Sequence, residues 1–127
     1  MKTGYSFPKK ERLRGRDNIQ KVFDRRMAFS CPGAKLLSRR NGLGYNRVAF
    51  AFPRKYGNAV ERNYSRRLSR EVYRLLGAEL CQGYDLVLLI YPGKDVFSVR
   101  MEQLRLLFCR ARLFKSIPDD QKQSFPE

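Results

Sequence analysis

The sequence predicts an α+β fold, a small two-layer sandwich with the element order α-β-β-β-α-β-α. Three observations carry that prediction. Two long segments, one central and one near the end, place apolar residues at helical spacing. Residues 47–52 alternate large and small apolar side chains with the period of a strand. The run Leu86-Val87-Leu88-Leu89-Ile90 is apolar without a break, as a strand buried on both faces requires. The chain has 127 residues, the size of one domain and enough to bury a core without disulfides or a metal. Residues 1–115 therefore read as one domain with a basic arm over about 1–14. Residues 116–127, polar and carrying Pro118 and Pro126, read as a flexible tail.

The arm is irregular, and Pro8 breaks any early helix. A helix is predicted from Arg16 to Arg26, with Ile19, Val22 and Phe23 at i, i+3 and i+4. Asp17 near its start and Arg25 and Arg26 near its end complement the helix dipole. Residues 27–38 read as one or two short strands interrupted by Pro32-Gly33, and 40–44 as a turn rich in Gly and Asn. In the strand Arg47 to Phe52, Val48, Phe50 and Phe52 point to the core. Ala49 and Ala51 point the other way, where small side chains leave room for a close approach. Pro53 ends the strand, and Asn58 is a helix N-cap. The next helix runs from about Ala59 to Leu76, with Gly77 as its stop. Asp85 to Tyr91 is a central strand closed by Pro92-Gly93. Ser98 caps a last helix reaching about Phe114, with Val99, Leu104, Leu107 and Phe108 facing inward.

Charge narrows the function. There are 27 Lys plus Arg against 12 Asp plus Glu, a net charge of +15. That balance implies a polyanionic partner, a nucleic acid or an anionic membrane. No segment is apolar and long enough to span a bilayer, and residues 1–10 lack the apolar region of a signal peptide. With no histidine, an imidazole base, a Ser-His-Asp triad and a His-ligated metal are excluded. The only adjacent acidic pair, Asp119-Asp120, falls in the tail, so no carboxylate cluster for divalent ions is expected. Cys31, Cys81 and Cys109 are odd in number and form no C-x-x-C pair, which suits buried small residues in a reducing cytoplasm.

On a helical wheel, Val60, Tyr64, Leu68, Val72, Leu75 and Leu76 span roughly 160°, and Arg62, Arg66, Arg67, Arg70 and Arg74 a separate arc of roughly 140°. Glu61 and Glu71 project near the apolar arc, which leaves the arginines without carboxylates on their own side. One face is expected to pack on the sheet and the other to meet an anion. The N-terminal segment adds Lys2, Lys9, Lys10, Arg12, Arg14, Arg16, Lys21, Arg25 and Arg26 against Glu11, Asp17 and Asp24. Tyr5, Phe7 and Phe23 could stack on unpaired bases, although Phe23 also has the spacing of a core residue. The residues describe an RNA binder without an active site of its own. A ribosomal or other structural RNA-binding protein has the same character.

The stretch from Arg54 to Glu71 resembles the signature of the bacterial ribonuclease P protein subunit. In that family a basic pair precedes G-x-A-V-x-R-N, then two basic residues, then R-E. Here Gly57, Ala59, Val60, Arg62, Asn63, Arg66, Arg67, Arg70 and Glu71 match. Leu13 with the Ile19-to-Phe23 helix resembles the family's first helix, and Asp85 to Tyr91 its last strand. The sequence departs from the family at Tyr64, where a third basic residue is frequent, at Ile19, where an aromatic is frequent, and at Pro53. The resemblance implies a non-catalytic protein subunit of an RNA-based endoribonuclease in the cytoplasm, and a left-handed β-α-β crossover. Its partners would be a catalytic RNA and the 5′ leader of precursor tRNA, with Mg2+ held mainly by the RNA and no obligate protein partner. It implies RNA-subunit contacts at Arg54, Lys55, Arg62, Asn63, Arg66, Arg67 and Arg70. It implies a leader cleft at Arg12, Arg14, Ile19, Phe23, Ala49 and Ala51.

Overall fold

A four-stranded mixed sheet with helices on both faces organises the chain. The structure, a computed structural model, describes residues 9–24 and 27–115. The expectations for Lys2, Tyr5, Phe7, Pro8, Arg25, Arg26 and the tail lie outside these residues. After a short 3-10 turn at Lys9–Glu11 come α1 (Arg16–Asp24), β1 (Met27–Cys31), β2 (Ala34–Arg40), β3 (Arg47–Ala51), α2 (Ala59–Gly77), β4 (Tyr84–Ile90) and α3 (Phe97–Arg110). This is the predicted order. Pro32-Gly33 is the turn between β1 and β2, with Gly33 at φ +85°.

The strand order is β1-β2-β4-β3. β1 pairs antiparallel with β2, β2 antiparallel with β4, and β3 parallel with β4 through the α2 crossover. β4 is thus central and, as its apolar run demands, buried on both sides. On one face Leu36, Val48, Leu86, Leu88 and Ile90 pack with Val72, Tyr73 and Leu76 of α2 and Leu104, Leu107 and Phe108 of α3. On the other, Leu37 and Val87 pack with Leu13 and with Val22 of α1. The two faces of β3 divide as predicted: Val48, Phe50 and Phe52 join the first cluster, Ala49 and Ala51 the second.

Asp85 opens β4 with a fully buried carboxylate. It accepts hydrogen bonds from Arg47 Nε and Nη2, both at 2.8 Å, and from Asn41 Nδ2 at 2.9 Å. Arg39 Nη1 lies 3.6 Å away. One buried charge therefore joins β2, β3 and β4 at one end of the sheet, and its bonds to three donors compensate its loss of water.

α2 begins as predicted. Asn58 Oδ1 accepts from the Glu61 N–H at 2.8 Å, and Glu61 Oε1 accepts from the Asn58 N–H at 3.0 Å, a complete capping box. Gly57 sits at φ +147°, which favours glycine, and a Cβ there would push the Glu61 carboxylate out of its place in the capping box.

The rotation of α2 differs from the wheel. Its buried residues are Ser65, Ser69, Val72, Tyr73, Leu76 and Gly77. Val60, Tyr64 and Leu75, expected against the sheet, face solvent. The cause is Arg100 on α3, only 2% exposed. Its guanidinium donates to Ser69 Oγ at 2.6 Å, Ser65 Oγ at 3.2 Å, Asp95 Oδ1 at 2.7 Å and Gln103 Oε1 at 2.9 Å. Tyr56 donates its single hydroxyl proton to Asp95 at 2.6 Å, so its 2.8 Å contact with Ser65 is donated by the serine. A buried guanidinium demands acceptors, and the small serines supply them while allowing the helices to approach.

Three smaller corrections follow from local geometry. Gly77 is the last helical residue and is buried, and Ala78 caps the helix in a right-handed conformation. Val96, not Ser98, is the N-cap of α3, and it makes no side-chain cap bond. That helix ends at Arg110, where Leu113 bonds back to the Phe108 carbonyl and Arg112 takes φ 57°.

Removing the Arg100 guanidinium would take a donor from four acceptors and leave Asp95 with Tyr56 in place of an ion pair. Arg100→Ala should lower unfolding free energy by about 3–5 kcal/mol, measured by urea titration. A loss under about 1 kcal/mol would show that the network does not hold α2. Burial alone would raise the Asp95 carboxyl, but bonds from Tyr56 and Arg100 hold it below its ordinary 3.8. A carboxyl held low in the folded state stabilises above its unfolded value, and that contribution is lost as the pH falls below about 3.8. The parent should therefore lose urea stability between pH 4 and pH 2 more steeply than Asp95→Asn. Parallel curves would refute this.

Candidate nucleic-acid interface

The second face of the sheet is only partly covered. Cross-strand pairing arranges it in rows: Ala28, Leu37, Val87 and Ala49 in one, Ser30, Lys35, Leu89 and Ala51 in the next. α1 lies over the first row through Val22, with Leu13 beside it. The second row has no helix of its own, and Lys35, Leu89 and Ala51 are half-buried. Ile19 and Phe23 of α1, also half-buried, pack against the same Leu13, Val22, Leu37 and Val87 cluster as Ala49, Ala51 and Leu89 do. The floor is low because two of its side chains are alanines. Phe23 is thus neither wholly core nor wholly exposed.

The outer edge of β3 carries the N-terminal segment. Arg12 bridges to Val48 in parallel fashion, and the Leu13 N–H donates to the Val48 carbonyl at 2.8 Å. Asn18 Nδ2 donates to the Arg14 carbonyl at 3.0 Å and fixes the entry to α1. Arg12 is half-buried and Arg14 exposed.

From the other face, α2 brings Arg62, Arg66 and Arg70 to the border of its buried stripe, each half-buried. Arg66 lies 4.9 Å over the Phe52 ring, and Phe52 meets Tyr56 edge-on at 5.1 Å. Arg70 has its pKa lowered by burial and then by the charges of Arg12, Arg66 and Arg14. Two basic regions far apart in the chain therefore meet at the β3 edge. Arg67 and Asn63 are exposed further round α2, away from its buried stripe. Arg54 and Lys55 are exposed in the turn before it, closed by the Tyr56 N–H on the Pro53 carbonyl at 3.0 Å. Arg74 is not part of the row as expected: it forms an ion pair with Glu71 at 2.6 Å, three residues earlier.

Sequence reasoning missed Lys35 and Leu89, because the register of β2 against β4 decides their row. The alternation of Lys35, Leu37 and Arg39 was the available signal. It also missed Tyr56 and Arg100, whose roles exist only once α2 and α3 pack. Among the described residues no group of three Cys, Asp or Glu could hold a metal ion, and no helix is long and apolar enough to cross a membrane. All three cysteines are free, and Cys31 and Cys81 are only half-buried while Cys109 is exposed, so they are less buried than expected. Burial is the main cause raising the Cys31 thiol pKa.

The family model described as Ribonuclease P matches residues 7–112. The ribonuclease P protein component of Petrotoga mobilis is 38% identical over 111 residues, covering 82% of this chain and 94% of that protein. The corresponding protein of Thermotoga maritima is 32% identical, covering 80% and 93%. A solved structure of the Thermotoga maritima RNase P protein superposes with a TM-score of 0.70 at 30% identity, covering 79% of this chain and 96% of that one. The Staphylococcus aureus RNase P protein, at 17% identity, shares the fold with a TM-score of 0.75 over 83% and 98% of the chains. The match spans the arginine helix, the β3 edge and the half-covered face of the sheet alike, and on that breadth the chain belongs to the ribonuclease P protein family.

Proposed function

We propose that the chain is the non-catalytic protein subunit of a ribonuclease P, binding the catalytic RNA and the 5′ leader of precursor tRNA and assisting removal of that leader. The observation that carries this reading is the meeting of Arg12 and Arg14 with Arg66 and Arg70 at the β3 edge, beside a half-covered sheet floor. A phosphate backbone compensates that repulsion, and a half-open apolar floor beside it suits unpaired bases. Arg54, Lys55, Arg62, Asn63, Arg66, Arg67 and Arg70 contact the RNA subunit. Asn63 Oδ1, 3.5 Å from Arg66 Nη1, orients that guanidinium. Arg12, Arg14, Ile19, Phe23, Ala49 and Ala51 line the leader cleft, and Lys35 supplies a cation on its floor. Mg2+ is held mainly by the RNA, where phosphates are plentiful. The complex works in the cytoplasm without an obligate protein partner. Family membership favours this reading over a ribosomal role.

The deciding experiment is cleavage of precursor tRNA in magnesium, with and without the catalytic RNA. Leader release should need the RNA and be stimulated by the protein. Site-specific release by protein alone would overturn the reading. Phe23→Ala should weaken leader binding by about 1–3 kcal/mol in a fluorescence titration, the range for one lost stack. Unchanged leader affinity with a large drop in melting temperature would make Phe23 a core residue only.

Four arginine contacts on α2 give a slope of log affinity against log salt of about −3 to −4. Arg67→Ala should reduce it by about one unit, and it is the cleanest variant because Arg67 is exposed, whereas Arg66 also packs on Phe52. Arg70→Gln should act in two directions. In low salt it should stabilise the free protein by about 0.2–0.5 kcal/mol for each like-charge contact relieved, and it should weaken RNA binding. A variant that binds RNA as tightly as the parent would remove Arg70 from the interface.

A further inference from the structure

The rotation of α2 leaves an apolar stripe without a partner among the described residues. Val60 is 75% exposed, Tyr64 47% and Leu75 45%. Tyr64 lies one helical turn from Val60, and Arg67 lies three residues further on. Asn63 and Arg67 are exposed beside it. No other ring and no cation packs on Tyr64 among the described residues. Tyr64 points roughly 160° around the helix from Arg66, so it does not belong to the row that meets Arg12 and Arg14.

An apolar stripe turned to water on a well-packed helix marks a contact surface. Charge selects its occupant. A second copy of this chain would bring another +15 against Arg67. An RNA offers a flat base for the phenol ring and a phosphate for the guanidinium within one nucleotide.

We propose that Tyr64 is a base-stacking platform: it holds one unpaired base of the RNA subunit, Val60 covers the sugar or base edge, and Arg67 takes the adjacent phosphate. This rests on the function proposed above and adds to it a second, sequence-tolerant contact on the outer side of α2.

The chain has no tryptophan, so Tyr64→Trp places a single fluorophore at the site. Its emission should be exposed to acrylamide in the free protein, then quenched and shielded on titration with the catalytic RNA subunit. Tyr64→Leu keeps an apolar side chain without a ring and should weaken RNA binding by about 5- to 150-fold, while the conservative Tyr64→Phe should restore it. The salt slope should be unchanged in Tyr64→Leu but reduced by about one unit in Arg67→Ala. Melting temperatures of the Tyr64 variants should stay within a few degrees of the parent, since the ring is half exposed. Indole emission from the Tyr64→Trp variant that ignores saturating RNA, or a Leu variant that binds as tightly as the parent, overturns the proposal. So does an indole already shielded in the free variant, which would place another part of the chain or a second copy on the stripe. If the parent itself fails to bind the RNA subunit, the proposed function falls and the stacking site with it. If the parent binds and stimulates cleavage while every Tyr64 variant does the same, only the stacking site falls.

Discussion

A guanidinium taken out of water must find acceptors for its donors, and Arg100 imposes that demand on everything around it. Two of its acceptors are serines one turn apart on α2, and another is Asp95, which also receives Tyr56. Satisfying them fixes the angle at which α2 lies on the sheet. With that angle set, Tyr73 and Val72 enter the core, Arg62, Arg66 and Arg70 border it on the β3 side, and Arg67 faces water. The same tie holds the turn bearing Arg54 and Lys55, because Tyr56 belongs to both. A structural network with no exposed cation of its own therefore decides where the exposed cations stand.

The elements are legible where the local pattern and the tertiary partner agree. β4 is apolar on both faces because helices and sheet neighbours surround it, and its composition says so directly. β3 alternates large and small, and its two faces divide accordingly. Asn58 and Glu61 cap α2 with bonds that stay within four residues. A helical wheel misplaces α2 because it scores side chains by their affinity for water. Serine counts as neutral there, and nothing in the helix announces an arginine arriving from 31 residues away. Gly77 has the position of a helix stop, yet it is the last helical residue and is buried, and Ala78 makes the cap.

The site is legible in its parts and not in its assembly. The spacing of Arg62, Arg66 and Arg70 is a helical repeat that the sequence displays openly. That Arg12 and Arg14 stand beside them depends on a single parallel bridge to Val48, and no periodicity encodes it. Lys35 enters the floor only through its pairing with Leu89. On the wheel Glu71 stands apart from the arginines, but three residues along a helix is within reach, and it takes Arg74 out of the row.

The strand that fills the middle of the sheet is the last one made. β3 and β4 pair across 38 residues, and β2 has no hydrogen-bonded neighbour on its inner side until β4 arrives. A nascent chain can close the β1–β2 hairpin early, but β3 has no seat before residue 84 is available. Long loop closure of this kind raises contact order and slows the final step. During synthesis the arginine helix is thus translated and free before the core that orients it exists. A strongly cationic, half-folded chain in that interval attracts any nearby polyanion, so speed of β4 docking is itself a safeguard against premature, unspecific attachment.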